Sequence, residues 1–265
     1  MLKDITIGQY LYRESFVHRL DPRTKIICAM IFMIGIFFVQ FLYEYIFVLL
    51  MTLGTIYVSK IPIKKIIKGL KPILLLIILT AIMNIFFTKG TPIFEFGFIH
   101  IAWEGLSVAA FMALRIFFLV IFTSLLTLTT SPINLTNGIE GLLSPLKIIK
   151  VPAHEIAMMM SIALRFIPTL VDETDKIMKA QKARGADFET GNLLRRVKAL
   201  VPILIPLFIN ALTRADDLAL AMEARGYKGD RGRTKFKELH YKKNDVFVLL
   251  LFLLILVALI IRSVI

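Results

Sequence analysis

A single cysteine and only four histidines are the first scarcities in this chain of 265 residues. One thiol cannot build an internal disulfide framework, and Cys28, inside an apolar run, reads as a small buried hydrophobe. His18, His100, His154 and His240 are scattered and show no metal-ligand spacing. No Ser, Cys or Asp sits in a recognisable nucleophile motif. No Gly-x-x-x-x-Gly-Lys-Ser/Thr loop is present either. Gly226-Tyr227-Lys228-Gly229-Asp230-Arg231-Gly232 is glycine-rich at the wrong spacing and reads as a basic loop. Residues 1–25 lack the apolar core and small-residue cleavage site of a secretory signal. These absences argue against a disulfide scaffold, a metal hydrolase and a self-contained nucleotide triphosphatase.

What the chain has is apolar side chains. They make up 57% of it, with 21 Phe, against 19% charged residues. That exceeds an ordinary soluble domain and excludes disorder. Because the apolar residues are clumped, the expectation is an all-α polytopic membrane protein. The net charge of +13 is then the excess of Lys and Arg in short cytoplasmic loops. No aromatic-interleaved basic surface points to nucleic acid.

Between Ile26 and Ser59 the only charge is Glu44. One helix over that stretch would be about 51 Å long at 1.5 Å per residue, too long for a hydrocarbon core of about 30 Å. Tyr43-Glu44-Tyr45 is therefore read as an interfacial turn between two short spans. Lys60, Lys64, Lys65, Lys68 and Lys71, bracketed by Pro62 and Pro72, read as a cytoplasmic loop. Pro72–Thr88 is a third uncharged run. Gly90–Glu104, with Phe94, Phe96, Phe98 and Trp103, fits an external interfacial loop. A fourth run, Gly105–Thr130, is interrupted only by Arg115, which either snorkels or faces another helix. Val246–Ile261 makes a fifth span.

From Ser131 to Asp245 charges interleave with apolar residues. Ile156, Met160, Ala163, Ile167, Leu170 and Ile177 recur at helical period, predicting a long amphipathic helix over Glu155–Arg184. Val197, Leu200, Leu204, Phe208, Ala211, Ala215, Leu218 and Met222 predict a second over Leu193–Arg225. A shorter helix is expected around Ile139–Ile149. Pro168, Pro202 and Pro206 predict kinks or breaks. The expected organisation is a cytoplasmic N-terminal segment (1–25), four spans (26–130), a cytoplasmic domain of long amphipathic helices (131–245) and a last span (246–265).

The two long helices end alike. Ala183-Arg184-Gly185 closes the first and Ala224-Arg225-Gly226 the second, 41 residues apart. The same alignment pairs Ala180 with Ala221 and Asp175 with Asp216. Gly after the last turn suits the left-handed conformation that stops a helix. Ala one and four residues before each Arg leaves a smooth flank able to enter a groove. Arg is favoured there by the helix dipole, and its planar fork can grip a partner's carboxylate. Plain capping is the simpler reading of either end alone; two copies suggest two similar docking sites.

On these motifs the chain resembles the transmembrane T component, the coupling subunit, of energy-coupling factor (ECF) type ABC vitamin transporters. The resemblance extends to His18-Arg19-Leu20-Asp21-Pro22-Arg23-Thr24-Lys25 before the first span and covers essentially the whole chain. Read from the residues, Asp21 caps that helix, Pro22 suits its first position, and Arg23 and Lys25 hold its start on the cytoplasmic side. The resemblance implies a non-catalytic subunit in a prokaryotic cell membrane. Two ABC-type ATPase subunits, which hold the ATP and Mg, would receive the two Arg tips. A membrane-embedded S component would carry the vitamin, and Met158-Met159-Met160 could offer it an adaptable surface or simply fill a core.

Two other classes fit less well. Asp172-x-x-Asp175 followed by Ala183-Arg184 superficially resembles membrane CDP-alcohol phosphotransferases, but Lys176 stands where Gly is needed and the later acids are missing. A self-contained secondary transporter should show repeated halves; the only repeat here lies in the insert.

Overall fold

The computed structural model describes residues 10–96, 99–149, 151–186, 188, 192–227, 229 and 239–264. Its elements are α1 (Phe16–Arg19), α2 (Pro22–Gly35), α3 (Glu44–Ser59), α4 (Ile63–Phe87), strands β1 (Pro92–Phe96) and β2 (Ile99–Ala102), α5 (Trp103–Thr129), α6 (Pro132–Leu143), α7 (Ala153–Ala183), α8 (Leu193–Ala224) and α9 (Lys243–Val264). The chain is an all-α membrane protein apart from one short hairpin. Its described residues divide into two compact units, one within 8–142 and 239–265 and the other within 143–238.

The first unit is a helix bundle whose core is aromatic. Phe32 stacks on Phe122 with ring centroids 4.0 Å apart, Phe252 lies 5.8 Å from Phe122, and Tyr45 stacks on Phe118 at 6.0 Å. Hydrogen bonds show which helix ends meet. At one end Leu11 N donates to the Leu128 carbonyl (3.0 Å), Arg13 Nη1 to the Lys60 carbonyl (2.9 Å) and Lys25 Nζ to the Thr129 carbonyl (3.0 Å). At the other, Gln40 Nε2 donates to Ser263 Oγ (2.8 Å) and Arg262 Nε lies 3.1 Å from Glu44 Oε1. So α2, α3, α4, α5 and α9 alternate in direction. The chain leaves this unit after α6 and rejoins it before α9 at the same end as the N-terminal segment.

The break between the first two spans falls where expected: α2 ends in a 3-10 turn, Ile36–Phe38, and α3 starts at Glu44. Glu44, however, is buried rather than among headgroups; its Oε2 accepts the N–H groups of Gln40 (2.9 Å) and Phe41 (3.2 Å). The lysine-rich stretch also departs from expectation. Only Lys60 and the two residues after it are a linker, with Lys60 at φ +56; Lys64, Lys65, Lys68 and Lys71 lie in the first turns of α4, which continues through Pro72. Lysine is a good helix former, and a proline within a helix removes only one backbone bond. The aromatic loop contains the hairpin, with Glu95 opposite His100 and Phe96 opposite Ile99. Phe98 lies outside the described residues. Arg115 faces other helices, its guanidinium 5.0 Å from the Phe37 ring centre.

Among the described residues, the helices long and apolar enough to cross a membrane are α4, α5, α7, α9 and the Val197–Ala224 part of α8. The number matches the five expected spans, but the membership differs. α2 and α3 have 14 and 16 residues, while α7 and α8 qualify through their apolar halves.

The second unit holds α7 and α8, of 31 and 32 residues. Both run without interruption through Pro168, Pro202 and Pro206, so the expected breaks do not occur. The short helix expected at 139–149 is instead α6, followed by a 3-10 turn, Ser144–Ile149. Residues 131–142, expected in the cytoplasmic insert, pack in the bundle. A Cβ on Gly138 would come within 3.0 Å of Pro22 and Ile26, and one on Gly141 within 2.7 Å of Arg23.

Candidate functional site: two helix tips and a buried brace

The two Ala-Arg-Gly segments adopt one geometry. Arg184 ends α7 and Arg225 ends α8 with nearly equal backbone angles, and Gly185 and Gly226 follow at φ +88 and +73. Gly185 N donates to the Lys182 carbonyl (3.0 Å) and Ala186 N to the Gln181 carbonyl (3.0 Å). At the second tip Gly226 N donates to the Glu223 carbonyl (2.8 Å) and Tyr227 N to the Met222 carbonyl (3.0 Å). Both ends are Schellman motifs, in which the left-handed glycine lets backbone N–H groups satisfy the last carbonyls. The cap is thus made of backbone. Arg184 and Arg225 are exposed, and among the described residues neither guanidinium has a hydrogen bond or ion pair. Ala180, Ala183, Ala221 and Ala224 are exposed beside them, Asp175 is half-buried and Asp216 exposed.

One contact relates the helices to each other. Arg214 Nη2 of α8 donates to Glu173 Oε1 of α7, two positions 41 residues apart. This is the spacing of the repeat itself, so the helices meet at equivalent positions. Each Arg tip then lies the same distance past the contact, about 16 Å at 1.5 Å per residue. Nothing in either helix alone foretold which positions would pair.

Much of the apolar surface in this unit has no partner. Val201, Leu204, Ile205, Phe208 and Ile209 on α8 are exposed, as are Met159 and Met160 on α7, while Met158 is half-buried.

The N-terminal motif lies in the bundle and is a brace. Asp21 caps α2, its Oδ1 accepting from Arg23 N (2.9 Å), and Pro22 takes the first helical position. Arg23 and Lys25 are held by partners inside the bundle. The Arg23 guanidinium lies 3.2 Å from Asp21 Oδ2, donates to the Leu239 carbonyl (2.6 Å) and covers the Tyr241 ring at 4.3 Å. Lys25 is buried and donates to the Thr129 carbonyl (3.0 Å) and, more distantly, to that of His18 (3.4 Å). Desolvation cannot be borne by either cation unless it is paired in this way. His18 itself bonds the Leu11 carbonyl through Nε2 (3.0 Å), and burial lowers its pKa from 6.5 despite that bond.

Sequence reasoning missed Asp245. It is 1% exposed, and its two oxygens accept Asp21 N and Lys242 N, both at 2.8 Å. It therefore caps α9 and ties its start to the start of α2. Lys242-x-x-Asp245 has the spacing at which a third helical residue reaches back to the residue before the helix; that signal was readable, the link to Asp21 was not.

A bundle traversed five times and a pair of amphipathic helices with matching arginine tips define an all-α membrane protein. Comparison with known proteins names the class. Residues 13–236 match the CbiQ family, described as cobalt transport protein. A relative from Clostridium kluyveri, named energy-coupling factor transporter transmembrane protein EcfT, is 58% identical over 265 residues, covering 99% of this chain and 98% of its own. Proteins of the same name from Ruminiclostridium cellulolyticum and Bacillus subtilis are 57% and 48% identical, each aligned over 94% of this chain and over 93% and 94% of their own. The chain belongs to this family, the transmembrane T components of energy-coupling factor transporters.

Proposed function

We propose that this chain couples ATP-driven motion of two ABC-type ATPase subunits to a membrane-embedded S component that carries a vitamin or other micronutrient. The chain itself is non-catalytic; ATP and Mg are held by the ATPases. The N-terminus and the α7–α8 unit lie on the cytoplasmic side of a prokaryotic cell membrane. The observation that carries this reading is the pair of matching tips. Among the described residues each Arg projects without a partner from a cap that the backbone already completes, so helix stopping asks of it no more than the weak dipole preference. Each guanidinium enters a groove of one ATPase, where its fork meets a carboxylate. Ala183 and Ala224 allow close approach. The apolar surface around Phe208 and Met159 faces the S component. Closing of the ATPase pair moves the two tips, and the Glu173–Arg214 contact passes that motion between the helices. The family name shared by the relatives, which specifies an energy-coupling factor transporter, supports the same division of labour.

The test is co-purification of the ATPases with the Arg184→Ala, Arg225→Ala double variant. Truncating one partner of a buried, charge-assisted pair costs about 2–5 kcal/mol, or at least tenfold in affinity at about 1.36 kcal/mol per decade. Each single variant should lose less than the double, and Lys should rescue only in part. Normal assembly and uptake by the double variant would refute the docking role. Uptake by the purified chain without ATPases would instead make it a self-contained transporter.

A further inference from the structure

The lysines at the start of α4 have no part in the docking reading. Lys64, Lys65, Lys68 and Lys71 are all exposed, whereas Ile66 and Leu70 between them are buried. Lys64, Lys68 and Lys71 follow the i, i+4, i+7 spacing of one helix face, and Lys65 sits beside it. Lys60 precedes them, and the exposed Arg13 hydrogen-bonds its carbonyl at 2.9 Å, adding a sixth cation at this end of the bundle. The sequence holds no acidic residue between Glu44 and Glu95. Among the described residues none of the five lysine side chains has a hydrogen bond or ion pair. The same helix then turns apolar without a gap: Leu74, Leu75, Leu76, Ile78, Leu79 and Ile82 are exposed, as lipid-facing residues are. The basic turns thus stand where an outward-facing apolar surface begins, at headgroup height.

We propose that this lysine face binds the headgroups of anionic glycerophospholipids such as phosphatidylglycerol. Flexible ammonium groups suit several phosphates at once better than one fixed partner. A basic cluster flanking a span is attracted to an anionic leaflet by about fivefold in affinity for each charge, from about 1 kcal/mol per Lys. The site fixes the height of α4 in the bilayer. It does not depend on the ATPase docking proposed above.

The test uses the purified full-length chain, whose orientation is already set, in mixed micelles containing trace phosphatidylglycerol or phosphatidylcholine, with bound lipid measured by native mass spectrometry. The wild type should retain phosphatidylglycerol in preference to phosphatidylcholine. Lys64→Gln, Lys68→Gln should lower that preference at least tenfold, and the quadruple Gln variant further still. The quadruple Arg variant should keep it, which separates loss of charge from misfolding. Lys176→Gln, Lys179→Gln on α7 should leave it unchanged. Inorganic phosphate at millimolar concentration should not compete, since a lipid and not a free anion is the ligand. Three results would each overturn the proposal: no headgroup preference in the wild type, an unchanged preference in both Gln variants, or displacement by inorganic phosphate. Lysines that serve only to orient the chain during insertion, or that wait for an acidic protein surface, give the first of these.

Discussion

The bundle and the α7–α8 unit handle charge differently. In the bundle, the acids at the starts of α9 and α3 are turned inward and satisfied, while the lysines of α4 stay exposed. Asp245 places both oxygens on backbone N–H groups, and Glu44 accepts two more while pairing with Arg262. Those two residues fasten α9 at both ends, to the start of α2 and to the start of α3. On α7 and α8 the arginines at the tips have no partner among the described residues, and apolar side chains such as Leu204 and Phe208 are exposed. A buried charge is tolerated only when its hydrogen-bonding capacity is met, and Asp245 and Glu44 meet that condition. The second unit keeps apolar side chains exposed, which is what the proposed docking role requires.

The strongest way to break that contrast is at Asp245. Replacing it with Ala leaves the buried N–H of Asp21 and the part-buried N–H of Lys242 without this acceptor. An unsatisfied buried group costs about 1–3 kcal/mol, so Asp245→Ala should destabilise the bundle by at least about that much, with a smaller addition from the Lys242 end. Thermal unfolding of the purified chain would measure this. Asp245→Asn keeps one good acceptor and should recover about half. If Asp245→Ala unfolded at the wild-type temperature, these two bonds would not be what fastens α9 to α2.

Asp245 also marks the boundary of what the sequence could disclose. The cap by Asp21, the proline after it and both glycine stops were legible because each acts within a few residues, where backbone geometry dictates the residue type. The bond from Asp21 N to Asp245 spans 224 positions, and no local rule reports such a partner. The same limit hid the inward turn of Arg23 and Lys25, since a cation near a span reads as a surface anchor until its neighbours are known. At α4 the difference has another cause. Prolines at 62 and 72 resemble loop edges, but helix propensity and packing of Ile66 and Leu70 outweigh one missing hydrogen bond at Pro72. The repeat at 184 and 225 was visible as letters; that the cap needs no guanidinium became clear only from the backbone bonds.

A smaller effect sharpens the division of labour at the tips. Gly185 and Gly226 have open space around the position of an added Cβ, so the cost of a side chain there is conformational alone. Forcing an L-residue into the left-handed region costs roughly 1–2 kcal/mol. Gly185→Ala and Gly226→Ala should therefore each lower unfolding stability of the second unit by about that amount. Arg184→Ala and Arg225→Ala should hardly change it, because the capping bonds come from backbone N–H groups that the substitution leaves in place. The two pairs of variants should rank oppositely in ATPase binding. Melting curves and co-purification on the same four proteins decide between capping and docking. Equal stability loss from Arg and Gly variants would return the arginines to a capping role.

The smallest effect concerns the pair that joins the two long helices. Glu173 and Arg214 are partly exposed, with side chains 17% and 39% accessible. Solvent screening discounts such a pair to about 0.2–1 kcal/mol. Glu173→Gln or Arg214→Gln should then cost less than about 1 kcal/mol in thermal unfolding. Its interest is geometric rather than energetic. Because the two residues occupy equivalent places in the repeat, a charge swap, Glu173→Arg with Arg214→Glu, should restore what either charge reversal alone removes. A double-mutant cycle isolates that coupling. Reversal of one charge alone sets two like charges face to face and should pry the helices apart where they meet. Coupled uptake should then fall more than stability does, since both tips take their relative position from this point. If each single reversal left uptake unchanged, or if the swap failed to restore what a reversal removed, the pair would have no part in passing motion between the tips, and the two helices would have to be treated as independent arms.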